Sequence, residues 1–193
     1  SSVFTLAHEL GHSLHSHFSR KAQGYRYADY PIFLAEVAST TNELLLAEHL
    51  LAQTRDERFK LYLYNHLCAG FKGTVYRQTQ FAQFEKEIYE MVEKNEPLTV
   101  DSLSSLYYGI NKEYYVAAIK EPDKKIALEW ARIPHFYYNF YVYKYATGFS
   151  SAVYLSRSIL SGGDEERDRY LSFLSAGSTD YPLDTLARAG VDL

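Results

Sequence analysis

The chain has 193 residues and is 47% hydrophobic, which is enough for one sizeable core and a second, smaller subdomain. Its net charge of −4 argues against nucleic acid and anionic membranes as main partners. The single cysteine, Cys68, excludes an internal disulfide, and no stretch is long and apolar enough to span a bilayer. We therefore expect a protein of a reducing compartment with no membrane partner.

The first predicted element is a helix that opens the chain and ends before Arg20. It carries the pattern His-Glu-x-x-His, in which His8 and His12 are four residues apart and Glu9 follows the first of them. Residues four apart lie one above the other on a helix, so the two imidazoles can bind one metal ion. Glu9 would point toward the space beside the metal, where a general base could act on a bound water. A solvated helix with incidental histidines is the alternative, and the helical context favours the metal site.

That helical context is a set of apolar residues at helical spacing, and Ser1 and Ser2 can cap the start of the helix. The apolar residues are Val3, Leu6, Ala7, Leu10, Leu14 and Phe18. Gly11 is unusual inside a helix, where glycine costs about 1 kcal/mol relative to alanine. We expect that it leaves room for substrate or for a neighbouring helix to come close to the metal.

The remainder of the chain is also predicted to be helical, with breaks at polar, proline-containing or glycine-containing segments. The breaks are Arg20 to Pro31, Gly70 to Gly73, Asn95 to Pro97, Glu121 to Asp123, Gly162-Gly163 and Ser175 to Pro182. The predicted helices cover residues 32–52, 55–69, 74–93, 99–118, 126–132 and 183–189, with a short helix from Asp164, and a tyrosine-rich run covers residues 136–160. No repeat or β-hairpin signal occurs. We expect a mainly α fold with little or no β, in which residues 1–193 form a single helical zinc-binding catalytic region.

A catalytic zinc site usually has three protein ligands, and Glu36 on the second predicted helix is the best candidate for the third. Glu43 lies about two turns further on and on nearly the same face, about 10 Å away along the axis. We therefore assign Glu36 to the metal and Glu43 to the free ring N–H of a ligand histidine. The alternative for Glu43 is an ordinary solvated charge, which is how we interpret Glu48. The histidines expected to be structural or solvent-facing are His15, His17, His49 and His66.

The tyrosine-rich run after Pro134 can supply hydrogen-bond donors to the oxyanion that forms during peptide hydrolysis. If this run is helical, Tyr138, Tyr141 and Tyr145 share one face. An aromatic row at this spacing is also typical of core packing, so both interpretations stay open.

Several motifs follow one another along the chain. They are Phe4 to Ser13 around the zinc motif, Ala35 to Thr40, Asn42-Glu43, Arg77-Gln78-Thr79, Phe81-Ala82, Phe84-Glu85, Pro134 to Tyr137, Tyr181-Pro182-Leu183 and Ala189 to Asp192. Together they resemble the oligoendopeptidase F branch of the M3 zinc metallopeptidases. The similarity runs essentially from end to end and is far more specific than the zinc motif alone.

The resemblance implies a cytoplasmic endopeptidase that binds one Zn²⁺ ion and cuts internal bonds of short peptides. It also implies an α-helical fold with a deep channel between two halves, of which this chain is similar to the C-terminal half only. The N-terminal part of the same polypeptide is then expected to be missing. A His and Tyr set that faces the zinc in that family is carried over to His135, Tyr141 and Tyr145, with Tyr138 as a substitute for one of them. A zinc carboxypeptidase or aminopeptidase, and a zinc-stabilised fragment that binds peptides without cutting them, are the alternatives.

Overall fold

The computed structural model describes residues 2–115 and 122–193, and these ranges contain helices and no strand. The expected mainly α class is confirmed. The helices are α1 (Ser2–Ala22), α2 (Ile32–Gln53), α3 (Glu57–Phe71), α4 (Arg77–Glu93), α5 (Val100–Tyr115), α6 (Tyr143–Ser161), α7 (Asp164–Leu174) and α8 (Pro182–Arg188). A π-helical turn covers Lys72–Tyr76, and 3₁₀ helices cover Lys124–Arg132 and Pro134–Tyr138. Among the helices described, none is long and apolar enough to cross a membrane.

Some expected features fall on residues without a described placement. Ser1, one of the two expected caps of α1, lies outside the described residues, and so do Glu121 and the expected end of α5 near Ala118. At the start of α5 the expected cap is present, because the Thr99 hydroxyl accepts a hydrogen bond from the Ser102 backbone N–H at 3.1 Å.

The structure differs from the predicted helix boundaries at two places. The segment Gly70 to Gly73 does not end a helix, because α3 passes through the π-helical turn into α4. Glycine weakens a helix without forbidding it, and a π turn absorbs a local irregularity inside helical backbone. The tyrosine-rich run over residues 136–160 is not one helix, so Tyr138, Tyr141 and Tyr145 do not share one helical face. Asn139 and Phe140 have positive φ angles of 48° and 52°, which end the 3₁₀ helix before α6 begins.

The described chain divides into two compact units, one containing residues up to 71 and from 147 onward, the other residues 72–146. The main core of the first unit draws on α2, α6, α7 and α8 and on the residues after α8. It consists of Leu34, Val37, Ala38, Leu155, Phe173, Leu174, Leu186, Ala189 and Val191. A smaller cluster joins α1, α2 and α3 through Phe4, Ala47 and Leu63.

The second unit has its own core. Its buried members are Phe81, Phe84, Tyr107, Ile110, Ile133 and Val142. Beside this core, Glu129 pairs with Arg77 and accepts a hydrogen bond from the Tyr107 hydroxyl at 2.8 Å. Burial acts to raise the pKa of Glu129, but the Tyr107 hydroxyl and the guanidinium of Arg77 outweigh it and lower that pKa. The carboxylate thus links α4, α5 and the first 3₁₀ helix.

The glycine-containing connector between α7 and α8 packs against the loop that follows α1. Gly177 has a φ of +59°, and a Cβ there would lie 2.0 Å from the carbonyl oxygen of Tyr27. The neighbouring Ser178 N–H donates to the same oxygen at 3.0 Å. Only glycine fits both this backbone conformation and this contact.

Helices α1 and α2 pack closely because α1 presents small residues to α2. The buried side of α1 carries Phe4, Ala7, Gly11, His15 and Ser19, whereas Val3, Leu6, Leu10 and Leu14 are exposed. A Cβ on Gly11 would lie 2.5 Å from the Ser39 Cα and 3.1 Å from the Ala38 carbonyl oxygen. The Asn42 amide also crosses the interface and donates to the Ala7 carbonyl oxygen at 2.5 Å. The sequence left open whether Gly11 makes room for substrate or for a neighbouring helix, and the structure shows the close approach of the neighbouring helix α2.

Replacing Gly11 with alanine is therefore expected to lower the free energy of unfolding by about 1 kcal/mol, because overpacking a filled contact costs about 1–3 kcal/mol and the higher helix propensity of alanine returns about 1 kcal/mol. Urea unfolding followed by circular dichroism measures this loss. Gly109→Ala on α5 is the matched control, since no described atom lies within 4 Å of the Cβ that it would gain. Alanine favours a helix over glycine by about 1 kcal/mol, so this control should not lose stability. A Gly11→Ala variant as stable as Gly109→Ala, or more stable, would contradict the close contact.

Candidate metal centre and a histidine–tyrosine cluster

His8, His12 and Glu36 come together between α1 and α2. The two Nε2 atoms are 3.2 Å apart, and the Glu36 carboxylate oxygens lie 3.5 Å from His8 Nε2 and 3.9 Å from His12 Nε2. Three ligand atoms placed about 2.1 Å from one tetrahedral ion are about 3.4 Å apart. Within the part of the chain that the structure describes, these residues form the His/Cys/Asp/Glu group able to hold a metal ion. The donor set fits one ion without large rearrangement.

Glu43 contacts the other nitrogen of one of these histidines. Its Oε1 lies 2.7 Å from His8 Nδ1, and both side chains are half-buried. When His8 carries its proton on Nδ1 and donates a hydrogen bond to this carboxylate, the Nε2 atom on the Glu36 side keeps its lone pair for a metal ion. Glu36 and Glu43 therefore contact opposite edges of the same imidazole, as their seven-residue spacing on one face of α2 predicts.

Glu9 is exposed on α1 and lies apart from the contacts between α1 and α2. It lines, with the ligand candidate His12, a surface cleft of about 710 Å³ that follows α1 toward its C-terminal end. The other lining residues are Ser13, Ser16, His17, Arg20 and Lys21. An exposed carboxylate beside a candidate ligand is accessible to water.

His15 is the buried histidine of α1, with 1% of its surface exposed. Its ring stacks on Tyr30 at 3.6 Å and 8°, and its Nδ1 finds no partner among the described residues. Burial, and to a smaller extent the nearby His12, lowers the pKa of His15 to about 4. Tyr30 in turn contacts the Ser16 hydroxyl at 2.8 Å. His15 is therefore a neutral packing residue near neutral pH.

The other histidines of the first unit are either exposed or packed. His17 and His49 are exposed, and His66 stacks on Phe4 at 4.0 Å.

His135, Tyr141 and Tyr145 form a cluster of rings in the second unit. The His135 and Tyr141 rings are nearly parallel at 5.5 Å, and Tyr145 lies 5.6 Å from Tyr141 and 6.1 Å from His135. Tyr138 lies 6.0 Å from Tyr141 but is 63% exposed, whereas the other three are half-buried. The rings meet although they do not share one helix, because the turn at Asn139 and Phe140 redirects the chain between Tyr138 and Tyr141.

Comparison with known proteins gives one family for the whole chain. The sequence profile of peptidase family M3 matches residues 1–193. The chain belongs to peptidase family M3. Oligopeptidase PepF of Bacillus subtilis is 54% identical over 193 residues, which are all of this chain and 29% of that protein. An oligoendopeptidase F homolog of Lactococcus lactis is 54% identical over 191 residues, or 99% of this chain and 32% of the homolog.

A crystal structure of oligoendopeptidase-F from Enterococcus faecium is similar to the M3 chain, with a TM-score of 0.87 and 48% identity. The match covers 99% of this chain and 34% of that structure. The resemblance to the oligoendopeptidase F branch is therefore confirmed. The M3 chain spans about a third of the length of the curated relatives it matches.

Two contacts of the metal centre in this M3 chain were not predicted from the sequence. Ser39 is the residue against which Gly11 packs, and Asn42 bonds to the turn of α1 that carries the motif. Ser39 follows Glu36 by three residues and Asn42 follows Ser39 by three, so both fall on the side of α2 that carries Glu36 and Glu43. The helical spacing of polar and small residues along α2 was the signal that could have found them.

The low pKa of His15 predicts that stability falls in acid. Because the folded-state pKa of about 4 lies below the unfolded value of 6.5, the contribution is complete above pH 6.5 and is lost as the pH falls toward 4. We expect a loss of about 3 kcal/mol across that window in metal-free protein. His15→Phe should remove most of this slope, whereas the exposed His17→Phe should keep it. Urea unfolding between pH 7 and pH 4 measures the slope, and an equal slope in His15→Phe would refute the assignment.

Proposed function

We propose that the chain carries the metal site and catalytic base of a zinc-dependent endopeptidase that cuts internal bonds of short peptides. The observation that carries this proposal is the meeting of His8, His12 and Glu36 within 4.8 Å of one another, on two helices that pack at Gly11. Membership of family M3 and the names of the relatives, oligopeptidase PepF and oligoendopeptidase F, support the same chemistry.

Zinc is the ion that this donor set suits best. Two imidazole nitrogens and one carboxylate are a ligand set of catalytic zinc sites, which keep the fourth position free for water or substrate. A zinc ion held by His8, His12 and Glu36 would act as a Lewis acid toward water and toward the scissile carbonyl. Glu43 fixes the orientation of the His8 ring through the bond to Nδ1 and raises the basicity of that ligand.

Glu9 is the proposed general acid and base. It follows the ligand His8 directly, is exposed, and lines the cleft that His12 also lines. Its carboxylate takes a proton from the attacking water and then gives it to the leaving amine. A carboxylate able to do both must stay accessible to water and substrate, which its exposure allows.

His135, Tyr141 and Tyr145 are the proposed donors to the oxyanion. Hydrolysis of a peptide bond places negative charge on the former carbonyl oxygen, and hydrogen-bond donors aimed at that position stabilise it. An imidazole N–H and phenol hydroxyls are suitable donors, and their half-buried rings limit their motion. Tyr138 is the less favoured candidate because most of its surface is exposed.

One observation favours a second function for the chain in isolation. The chain spans about a third of the length of its relatives, so the second candidate is a zinc-stabilised fragment that binds peptides without cutting them. Mass spectrometry of products from a peptide mixture separates these functions. Internal cuts would support an endopeptidase, and terminal cuts would support a carboxypeptidase or aminopeptidase. If the zinc-loaded protein binds peptides but releases no products, the result supports a peptide-binding module.

Replacing Glu9 with glutamine is expected to leave zinc bound and to lower cleavage of an internally quenched peptide by about 10²–10⁴-fold, the usual contribution of a general base. Zinc content by atomic absorption and the cleavage rate are measured on the same sample. Glu48→Gln, on the exposed side of α2, is the matched control and should change neither. Turnover close to that of the unchanged chain would show that Glu9 is not the base.

The acidic residues of α2 should affect zinc binding in graded order. Glu36→Ala removes a ligand and should abolish stoichiometric zinc binding, whereas Glu43→Ala removes only the partner of His8 and should weaken affinity about 10–100-fold. Glu48→Ala should leave the affinity unchanged. Competition against a chromophoric chelator at fixed pH measures all three. Full zinc binding by Glu36→Ala would exclude Glu36 as a ligand.

A further inference from the structure

Glu85 is a buried carboxylate that the proposed mechanism does not use. It lies on α4 with 2% of its surface exposed, and its Oε1 accepts a hydrogen bond from the Phe140 backbone N–H at 2.7 Å. Burial raises the pKa of Glu85, and the bond from Phe140 acts in the opposite direction. Burying a carboxylate costs free energy unless it is hydrogen-bonded, and the hydrogen bond to Glu85 comes from the Phe140 N–H.

The backbone at Phe140 is in a conformation that side chains rarely adopt. Asn139 and Phe140 have φ angles of 48° and 52°, and neither is glycine. Two successive left-handed residues persist only where surrounding contacts determine them. They also turn the chain out of helical register, so the Phe140 N–H needs an acceptor from elsewhere, which Glu85 supplies.

Helix α4 holds this turn at a second point. Tyr89 lies one helical turn after Glu85, so the two side chains leave the same face of α4. The Tyr89 hydroxyl donates to Asn139 Oδ1 at 2.7 Å, and its ring stacks on Phe140 at 4.7 Å. Each of the two left-handed residues is therefore held by a side chain of α4.

Helix α4 also contacts the chain just before this turn. Phe136, next to His135, packs against Phe84 and Phe81 of α4 with ring centroids 5.2 and 5.5 Å apart. The turn at Asn139 and Phe140 thus lies between His135, anchored through its neighbour, and Tyr141, which follows the turn directly. The direction that the chain takes at this turn decides whether the rings of His135 and Tyr141 stack.

We propose that Glu85 is a positioning residue that holds the Asn139–Phe140 turn and so brings Tyr141 and Tyr145 against His135. The inference rests on the proposed function insofar as this cluster acts on the oxyanion. Glu85 touches neither substrate nor metal ligand in this role. It acts through the Phe140 N–H, and the property it needs is an acceptor oxygen in that place.

Three variants test the role of Glu85. Glu85→Leu removes the acceptor, Glu85→Gln keeps an acceptor oxygen without the charge, and Glu93→Leu changes an exposed glutamate of the same helix. Tyr89→Phe is a fourth variant that removes the hydroxyl donated to Asn139 from a side chain near the surface. It addresses the same turn should Glu85→Leu fail to fold.

Two structural measurements follow the turn and the cluster without any need for catalysis. Hydrogen–deuterium exchange of the peptide that contains Phe140 reports its N–H bond, and the His135 ring proton signal reports stacking on Tyr141. We expect both to change in Glu85→Leu, to change less in Tyr89→Phe, and to stay as in the unchanged chain in Glu85→Gln and Glu93→Leu. Unchanged exchange and an unchanged His135 signal in Glu85→Leu would overturn the proposal, whatever the activity.

The kinetic measurement uses the zinc-loaded protein, in the longest polypeptide that contains this chain. We expect kcat of Glu85→Leu to fall about 10–100-fold, the effect of displacing a catalytic group by about 1 Å, with KM and zinc content unchanged. Glu85→Gln should restore kcat, and a loss there equal to that in Glu85→Leu would overturn the acceptor role. If the unchanged protein cuts no peptide, the proposed function fails, and the exchange and His135 measurements alone decide the role of Glu85.

Discussion

The close approach of α1 and α2 at Gly11 is the constraint on which the metal centre depends. A Cβ at this position would lie 2.5 Å from the Ser39 Cα, so any other residue would force the two backbones apart. His8 lies about one turn before Gly11, His12 directly follows Gly11, and Glu36 lies about one turn before Ser39. At this separation an imidazole and a carboxylate reach each other with 3.5–3.9 Å between their ligand atoms. The glycine costs helix propensity, and the contact that it allows sets the distance between the ligands.

The two compact units place their functional side chains by different means. In the first unit, the side chains are placed by regular helices. A four-residue spacing on α1 and a seven-residue spacing on α2 align His8 between Glu36 and Glu43. In the second unit, the side chains are placed by the turn at Asn139 and Phe140, which interrupts the helical backbone. His135 and Tyr141 stack across this turn, and Glu85 and Tyr89 contact it. Regular helices give a fixed spacing, whereas a turn brings together rings that a straight helix would separate.

This difference explains how much could be predicted from the sequence. The mainly α class and the spacing of His8, His12, Glu36 and Glu43 follow from helical geometry, which is local and is visible in the order of residues. The turn at Asn139 and Phe140 could not be predicted, because it depends on a carboxylate more than fifty residues earlier in the chain. The buried face of α1 could not be predicted for a related reason, since Val3, Leu6, Leu10 and Leu14 indicate the helix but are exposed. Apolar periodicity identifies a face of a helix, but contacts with α2 decide that the small and aromatic face around Gly11 is the buried one.

The charge state of His15 matters because this buried histidine lies next to the candidate centre on α1. Glu36 and Glu43 place two carboxylates around His8, and together they offset the charge of one divalent cation. A protonated His15, about one turn after His12 on α1, would repel that cation. Burial against Tyr30 lowers the pKa of His15 to about 4, so its ring adds bulk beneath the ligands without adding charge near neutral pH. A neutral His15 is therefore compatible with a cation at the candidate centre, where the carboxylates of Glu36 and Glu43 would face the positive charge.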